Sequence, residues 1–297
     1  MMNKLHYHLV DVFTDRAFGG NPLAVFTDGA GVSDELMQSI AKELNLSETT
    51  FVLPPGEQTN DFRIRIFTPT SELPMAGHPT IGTAFVLAHQ GLTKKREIVF
   101  EEGVGPVSVS IQLKNGAAAF IEMRQPLPEF GQQYQDVDRI AEMLSVRKES
   151  VSKLPVQVVS CGVPFLFVPI SDLHAVRRLR LRLDVWEEVV RDCLAKDIFV
   201  FTKEVQFPGS HVHSRMFAPA HGIVEDPATG GASGPLGCYL VRHQLFPSDG
   251  ELRVVSEQGI EMGRPSFVKI RIKHRGHDIT DVRVGGTCHH MGNGCLF

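Results

Sequence analysis

Short runs of alternating apolar and polar residues, bounded by glycine, proline and asparagine, dominate this chain. In the first half they are YHLVDVF, LAVF, TTFVL, FRIRIF, EIVF, VSVSI and AAFIEM; in the second, VQVV, FLFVPI, DIFVF, HVHSRMF, LRVV, FVKIRI and DVRV. A period of two with such boundaries predicts strands. Helical spacing is rarer. Residues 33–43, SDELMQSIAKE, offer Ser33 as an N-cap and Leu36, Met37 and Ile40 on one face. VDRIAEMLSV and LDVWEEVVRDCLA read as similar amphipathic helices. Two segments break the pattern, because neither Leu73–Thr93 nor Pro227–Val241 contains Asp, Glu, Lys or Arg. A helix that is apolar on every side is buried on every side, and these are too short to span a bilayer. Each is expected to run through protein, with a curved sheet wrapped around it.

The two halves echo each other in order. GNPLAVF (20–26) resembles GVPFLFV (162–168), FVL (51–53) resembles FVF (199–201), RIRIFTP (63–69) resembles HSRMFAP (213–219), and LAHQGL (87–92) resembles LVRHQLF (240–246). Four echoes at a separation of about 150 residues argue for an internal duplication. The expected fold class is therefore α+β, with two similar lobes that are each a β-barrel-like sheet around a central buried helix. The expected division is residues 1–126 and 127–285, with 286–297 packing back onto the first lobe.

Composition adds limits. Of 297 residues, 42% are apolar and 22% charged, with a formal charge of −4, so no basic face is offered to nucleic acid or anionic lipid. Arg177, Arg178, Arg180 and Arg182 alternate with leucines and precede acidic residues, which reads as a solvated segment. The N-terminal stretch lacks a signal-peptide core and no apolar run reaches membrane-spanning length, which leads to the expectation of a cytoplasmic protein. Five cysteines with no C-x-x-C pair read as free thiols. The H-x-H pairs His6/His8 and His211/His213 have no carboxylate or cysteine at ligand spacing, so ordinary histidines, and no metal, are expected.

The candidate chemistry sits where the two buried helices begin. "MAGHPTIG" opens the first, with Pro79 suited to the first helical position. "GIVEDPATGGASGP" (222–235) opens the second, with Pro227 or Pro235 in that role and Asp226 as an N-cap candidate. The second stretch is glycine-rich, but it matches neither a Walker A loop nor G-x-G-x-x-G, and Glu225 and Asp226 would repel phosphate. Helix N-termini suit anions, so two facing lobes would aim both at one cleft that prefers a small carboxylate. His78 and Asp226 lie at these crowded helix starts, unusual places for idle ionisable groups. By residue type alone Glu48, in NLSETTFVL, reads as a strand-edge carboxylate and Glu72 as a turn residue.

NLSETTFVL, RIRIFTPTSELPMAGHPTIGTA, SRMFAPAHGIVEDPATGGASGP and GIEMGRPS, with VDVFTDRAFGGNPLAVF near the start, resemble the PhzF family along the whole chain. The resemblance implies the diaminopimelate-epimerase fold of two similar lobes. It implies an isomerase that shifts a proton on a small cyclic unsaturated carboxylic acid like trans-2,3-dihydro-3-hydroxyanthranilate, without metal or organic cofactor, as a homodimer. Glu48 matches the family's catalytic glutamate, His78 the histidine of its G-H-P/A motif and Asp226 the aspartate of its E-D-P/A-x-T-G motif. Gly77, Gly230 and Gly231, with Ser233 nearby, would bind the substrate carboxylate. The phenazine isomerase carries a serine where this chain has Gly231. Racemases of the fold carry cysteines at the places of Ala76 and, roughly, Pro227, where none of the five cysteines falls. Alternatives to the isomerase are an amino-acid racemase or epimerase, and a non-catalytic binding protein that kept the fold.

Overall fold

The computed structural model describes residues 4–296. The chain divides into two compact units, Met1–Arg124 with Arg283–Phe297, and Gln125–Val282. In the first, β1 (Leu5–Val12) pairs antiparallel with β2 (Asn21–Phe26). Helix α1 (Asp34–Leu44) then carries the chain over to β3 (Glu48–Leu53), which lies parallel to β2. Next come β4 (Phe62–Phe67), antiparallel to β3, and the short β5 (Glu72–Leu73), antiparallel to β4. Helix α2 (Gly77–His89) leads to β6 (Glu97–Glu102), parallel to β4. An antiparallel run through β7 (Gly105–Lys114) to β8 (Ala117–Gln125) follows.

The second unit repeats this pairing grammar. β9 (Glu129–Tyr134) and helix α3 (Val137–Met143) precede the antiparallel pair β10 (Val156–Ser160) and β11 (Pro164–Pro169). Helices α4 (Leu173–Arg178) and α5 (Leu183–Val189) make the crossover to β12 (Asp197–Thr202), parallel to β11. β13 (Val212–Ala218) and the short β14 (Ile223–Asp226) follow antiparallel. Helix α6 (Gly230–Arg242) leads to β15 (Glu251–Gln258), parallel to β13, and then to antiparallel β16 (Ser266–Arg275). Strand β17 (Asp278–Gly286) returns the chain to the first unit, where β18 (Cys288–Leu296) pairs antiparallel with β1. Each parallel step is bridged by helix, because parallel neighbours need a long crossover. The four sequence echoes fall on β2/β11, β3/β12, β4/β13 and the ends of α2/α6, the same places in the two repeats.

The charge-free segments are the central helices. Gly77–Leu87 is buried without interruption in α2, and in α6 the only residue short of burial before its last turn is Gly231. Such burial demands close approach to the sheet. A Cβ on Gly82 would stand 2.6 Å from Leu23 Cδ2 and 2.7 Å from Val12 Cγ2; one on Gly237 would stand 2.5 Å from Ile270 Cγ2. Outside them, Ser33 caps α1 as the spacing predicts, accepting from the Leu36 N–H at 3.3 Å. The four arginines of residues 177–182 are exposed, and Arg182 pairs with Asp184 and Glu142. Among the described residues, no helix is long and apolar enough to cross a membrane.

The helix starts differ from the sequence expectation. Pro79 is the third residue of α2, not the first. Its missing N–H is still harmless there, since the first-turn N–H groups have no intrahelical acceptor. In the second unit, α6 begins at Gly230 behind Thr229, so Pro227 precedes the helix and Pro235 lies inside it. Pro235 removes the N–H that would have bonded the Gly231 carbonyl, four residues back. Asp226 is the last residue of β14 rather than the N-cap. The capping position needs a residue directly before the helix, and three residues intervene.

Candidate functional site

In the first unit Glu48 opens β3, beside Leu23 of β2, and is 7% exposed. His78 is the second residue of α2 and is 3% exposed. The folding of β3 alongside the start of α2 brings His78 Nε2 to 3.1 Å from Glu48 Oε2. On the other side of the ring, His78 Nδ1 lies 3.1 Å from Asn21 Nδ2 at the start of β2. An amide nitrogen only donates, so Nδ1 is the acceptor and the ring hydrogen sits on Nε2. That Nε2 is buried and within reach of Glu48, yet its N–H does not align on any hydrogen-bond acceptor of the described residues. Burial holds the His78 pKa down at about 3, so the ring is neutral at physiological pH. A buried neutral N–H donor thus stands next to a buried carboxylate.

The start of α2 carries further donors. Ala76 is the extended N-cap residue and supplies no side-chain cap; among the first turn, Gly77 keeps a backbone N–H with no helical acceptor. Glu72 takes a different path. It opens β5 rather than sitting in a turn, is exposed, and is held by Arg65 Nε and Nη2 at 2.8 and 2.7 Å.

In the second unit a tight polar knot forms around Asp226, which is 4% exposed. Thr229 Oγ1 donates to Asp226 Oδ2 at 2.6 Å. Gln258, from the end of β15, fixes the turn: its Nε2 donates to the Asp226 carbonyl at 2.8 Å, and its Oε1 accepts the Thr229 N–H at 3.1 Å. Gly230 and Gly231 are the first two residues of α6, with their N–H groups in the unpaired first turn. Gln125 Nε2 donates to the Gly230 carbonyl at 3.0 Å. Ser233 is fully buried, and its hydroxyl donates to the Thr229 carbonyl at 2.9 Å, which directs it into the helix. The adjacent acids of the motif thus separate. Glu225 accepts from Arg215 Nε and Nη2, both at 2.8 Å, while Arg215 Nη1 reaches the Val176 and Leu179 carbonyls at 3.0 Å.

Asn21, Thr229, Gln258, Gln125 and Arg215 were not singled out from the sequence. Asn21 stands in the repeated G-N/V-P echo, a signal that could have flagged it. The others are uncharged or lie far along the chain from what they hold. His213 was read as having no carboxylate at ligand spacing. It is buried, with Nδ1 2.8 Å from Glu257 and Nε2 3.1 Å from Glu261, both more than forty residues away. Burial works against its positive charge, but the two carboxylates outweigh that and raise its pKa. Each carboxylate takes a different ring nitrogen, so the trio is an ion network. Cys161, Cys193 and Cys238 are buried and Cys288 and Cys295 partly so; none stands at a start of α2 or α6, where Ala76 and Thr229 are the capping residues.

A sequence model of the family described as phenazine biosynthesis-like protein, PhzC-PhzF, matches residues 10–294. The chain is 37% identical over 302 residues to an uncharacterized isomerase of Mesorhizobium japonicum, covering all of both chains. It is also 37% identical over 283 residues to the trans-2,3-dihydro-3-hydroxyanthranilate isomerase of Pseudomonas aeruginosa, covering 94% of this chain and 95% of that one. Among solved structures, a Bacillus anthracis phenazine biosynthesis protein of the PhzF family superposes over the full length of both chains with a TM-score of 0.90 at 27% identity.

Proposed function

The chain belongs to the PhzC-PhzF family and is a PhzF-type isomerase; from that premise we propose that it moves a proton on a small cyclic unsaturated carboxylic acid, with Glu48 as the general acid/base. The observation that carries this reading is the buried pair Glu48 Oε2 and His78 Nε2, 3.1 Å apart with the N–H off the line between them. In the proposed cycle the Glu48 carboxylate removes a proton from a ring carbon and the electrons shift into the conjugated system. The glutamic acid then returns the proton to another carbon, so atoms and charge balance with no co-reactant. Positioned general acid/base catalysis is worth about 10²–10⁴ in rate, and orientation of the bound acid supplies the remainder.

His78 would serve as a neutral donor, since burial holds its pKa down. Its N–H would hold a polar group of the substrate next to Glu48, with Asn21 fixing the tautomer from behind. Asp226 would act on a second polar group, its geometry locked by Thr229 and Gln258. By the family resemblance the Gly77 N–H, and likewise those of Gly230 and Gly231, would serve as carboxylate donors. A serine at the position of Gly231 would add a hydroxyl donor, so Gly231 favours a substrate that does not need it. The family resemblance supports a cofactor-independent homodimer in the cytoplasm.

The relative from Pseudomonas aeruginosa names the first compound to try. The purified protein is incubated in deuterium oxide with trans-2,3-dihydro-3-hydroxyanthranilate, related cyclic dienyl acids and amino acids. Mass spectrometry should show deuterium entering a cyclic dienyl acid. Exchange into none of them while Glu48 is intact defeats the isomerase chemistry proposed; exchange into amino acids alone favours a racemase.

A further inference from the structure

Glu102 is a buried acid that the proposed cycle leaves unused. It closes β6, is 7% exposed, and places Oε1 2.7 Å from Thr80 Oγ1, while its Oε2 is buried with no partner among the described residues. Thr80 Oγ1 also lies 2.8 Å from the Ala76 carbonyl oxygen. A threonine hydroxyl has one proton, a carbonyl has none, and a carboxylate has none. If Thr80 donates to Glu102, the 2.8 Å contact with Ala76 presses two oxygens together with no proton between them. If Thr80 donates to Ala76, the 2.7 Å contact is a hydrogen bond only when Glu102 supplies the proton. Only the second assignment puts a hydrogen in both contacts, and it requires Glu102 to be a carboxylic acid. Burial pushes the same way, raising the Glu102 pKa to about 8, with the Thr80 contact acting in the opposite direction.

The chain of bonds ends on a peptide that matters. The Ala76 carbonyl receives the Thr80 hydroxyl and, at 3.3 Å, the Thr80 N–H. That carbonyl and the Gly77 N–H belong to one planar peptide unit and point in opposite directions. Holding the first therefore aims the second. The hairpin that carries Glu102 is itself fastened to this segment: the Val104 N–H bonds the Pro74 carbonyl at 3.2 Å, and Gly103 packs so closely on Pro74 that a Cβ would fall 2.8 Å from its Cα.

We propose that Glu102 is a positioning residue which, as a neutral carboxylic acid, donates to Thr80, which donates to the Ala76 carbonyl, so that the Gly77 N–H is held in the direction of the substrate carboxylate. This rests on the reading of Gly77 as a carboxylate donor. The surrounding elements add little charge of their own. His78 on α2 is neutral, and β7 faces Glu102 with Gly105, flanked by Val104 and Pro106. The neighbouring Glu101 is occupied by the Gly56 and Glu57 N–H groups, the Asn60 amide and, at 3.8 Å, Arg63 of β4.

An acid with a raised folded-state pKa contributes stability that is complete below its ordinary value of 4.5 and is lost as the pH rises to about 8. Glu102→Gln keeps a donor toward Thr80 and cannot ionise; Glu102→Leu removes the donor. Three readouts test the proposal. Infrared difference spectra between wild type and Glu102→Gln should show a protonated carboxyl band at pH 6 that fades above about pH 8. Thermal stability of the wild type should fall relative to Glu102→Gln from about pH 5 to about pH 8 and run parallel above. KM for the carboxylate substrate should climb above about pH 8 in the wild type but stay level in Glu102→Gln, with kcat changing less. Glu102→Leu should show KM raised about tenfold at every pH, one hydrogen bond's worth of binding; if it fails to fold, Thr80→Val replaces it. An ionised Glu102 at pH 6, or parallel stability curves from pH 5 to 9, overturns the acid. Equal KM profiles in wild type and Glu102→Gln overturn the positioning role. Failure of the isomerase reading would leave the infrared and stability results standing, so the two failures are distinguishable.

Discussion

Replacing Gly234 in the buried helix α6 by alanine should destabilise the protein, although the same change in an exposed helix is favourable by about 1 kcal/mol. An added Cβ would stand 1.8 Å from Gln125 Oε1 and 2.9 Å from Val282 Cγ1. The Gln125 side chain can swing away, but it is buried and its Nε2 holds the Gly230 carbonyl at 3.0 Å. Moving it breaks that bond and leaves buried polar groups unmet, at about 1–3 kcal/mol, and crowding Val282 costs about 1 kcal/mol more. The losses exceed the helix gain by about 1–3 kcal/mol, which is roughly 2–5 °C in Tm at this size. Thermal melts followed by circular dichroism would measure it. The double variant Gln125→Ala/Gly234→Ala isolates the share due to the amide, because without it only the Val282 contact remains. The single changes should then be non-additive by about 1 kcal/mol or more. A Gly234→Ala protein that melts at or above the wild-type temperature, or a strictly additive pair, would refute the reasoning.

Two other perturbations separate structure from chemistry. Arg215→Met strands Glu225 and the carbonyls of Val176 and Leu179. Urea unfolding should show a loss of about 3–5 kcal/mol, with turnover retained below the unfolding midpoint; lost turnover in a folded variant would move Glu225 into the catalytic machinery. His78 has a folded-state pKa depressed from 6.5 to about 3 by burial. Its contribution to stability is therefore present above pH 6.5 and lost as the pH falls toward 3, at about 1.4 kcal/mol per pH unit. Denaturant titrations of His78→Asn across pH 7 to 4 should show a shallower loss than wild type, and an identical slope would contradict a neutral His78.

Much of the fold was legible because burial leaves a compositional trace. A helix surrounded by sheet cannot carry charge, and the absence of Asp, Glu, Lys and Arg from 73–93 and 227–241 marked α2 and α6 before any geometry was available. The repeat was legible because the F-x-P strand ends and the strands before them must perform the same packing twice. Helix starts were harder. Proline at N1 is a preference, and at Gly230 the three-residue link from Asp226, tied by Gln258, decided the boundary instead. Residues that aim others escaped for a physical reason. Gln125 lies 105 residues from its carbonyl and Gln258 lies 32 from the Asp226 carbonyl. An uncharged amide placed by tertiary structure leaves no local pattern. Glu48 itself is an ordinary carboxylate to any periodicity argument. Only the family motif, and then its 3.1 Å approach to His78, sets it apart.

The central claim is that Glu48 carries the proton, and the kcat/KM of Glu48→Gln on trans-2,3-dihydro-3-hydroxyanthranilate, or on whichever cyclic dienyl acid the wild type isomerises, tests it most directly. Glutamine keeps the size and the buried position but cannot accept or return a proton. The account predicts a fall of at least about 10² with the fold and melting curve intact. A folded Glu48→Gln protein that isomerises the same acid within about threefold of the wild-type rate, less than half the logarithm expected of any general base, would contradict it.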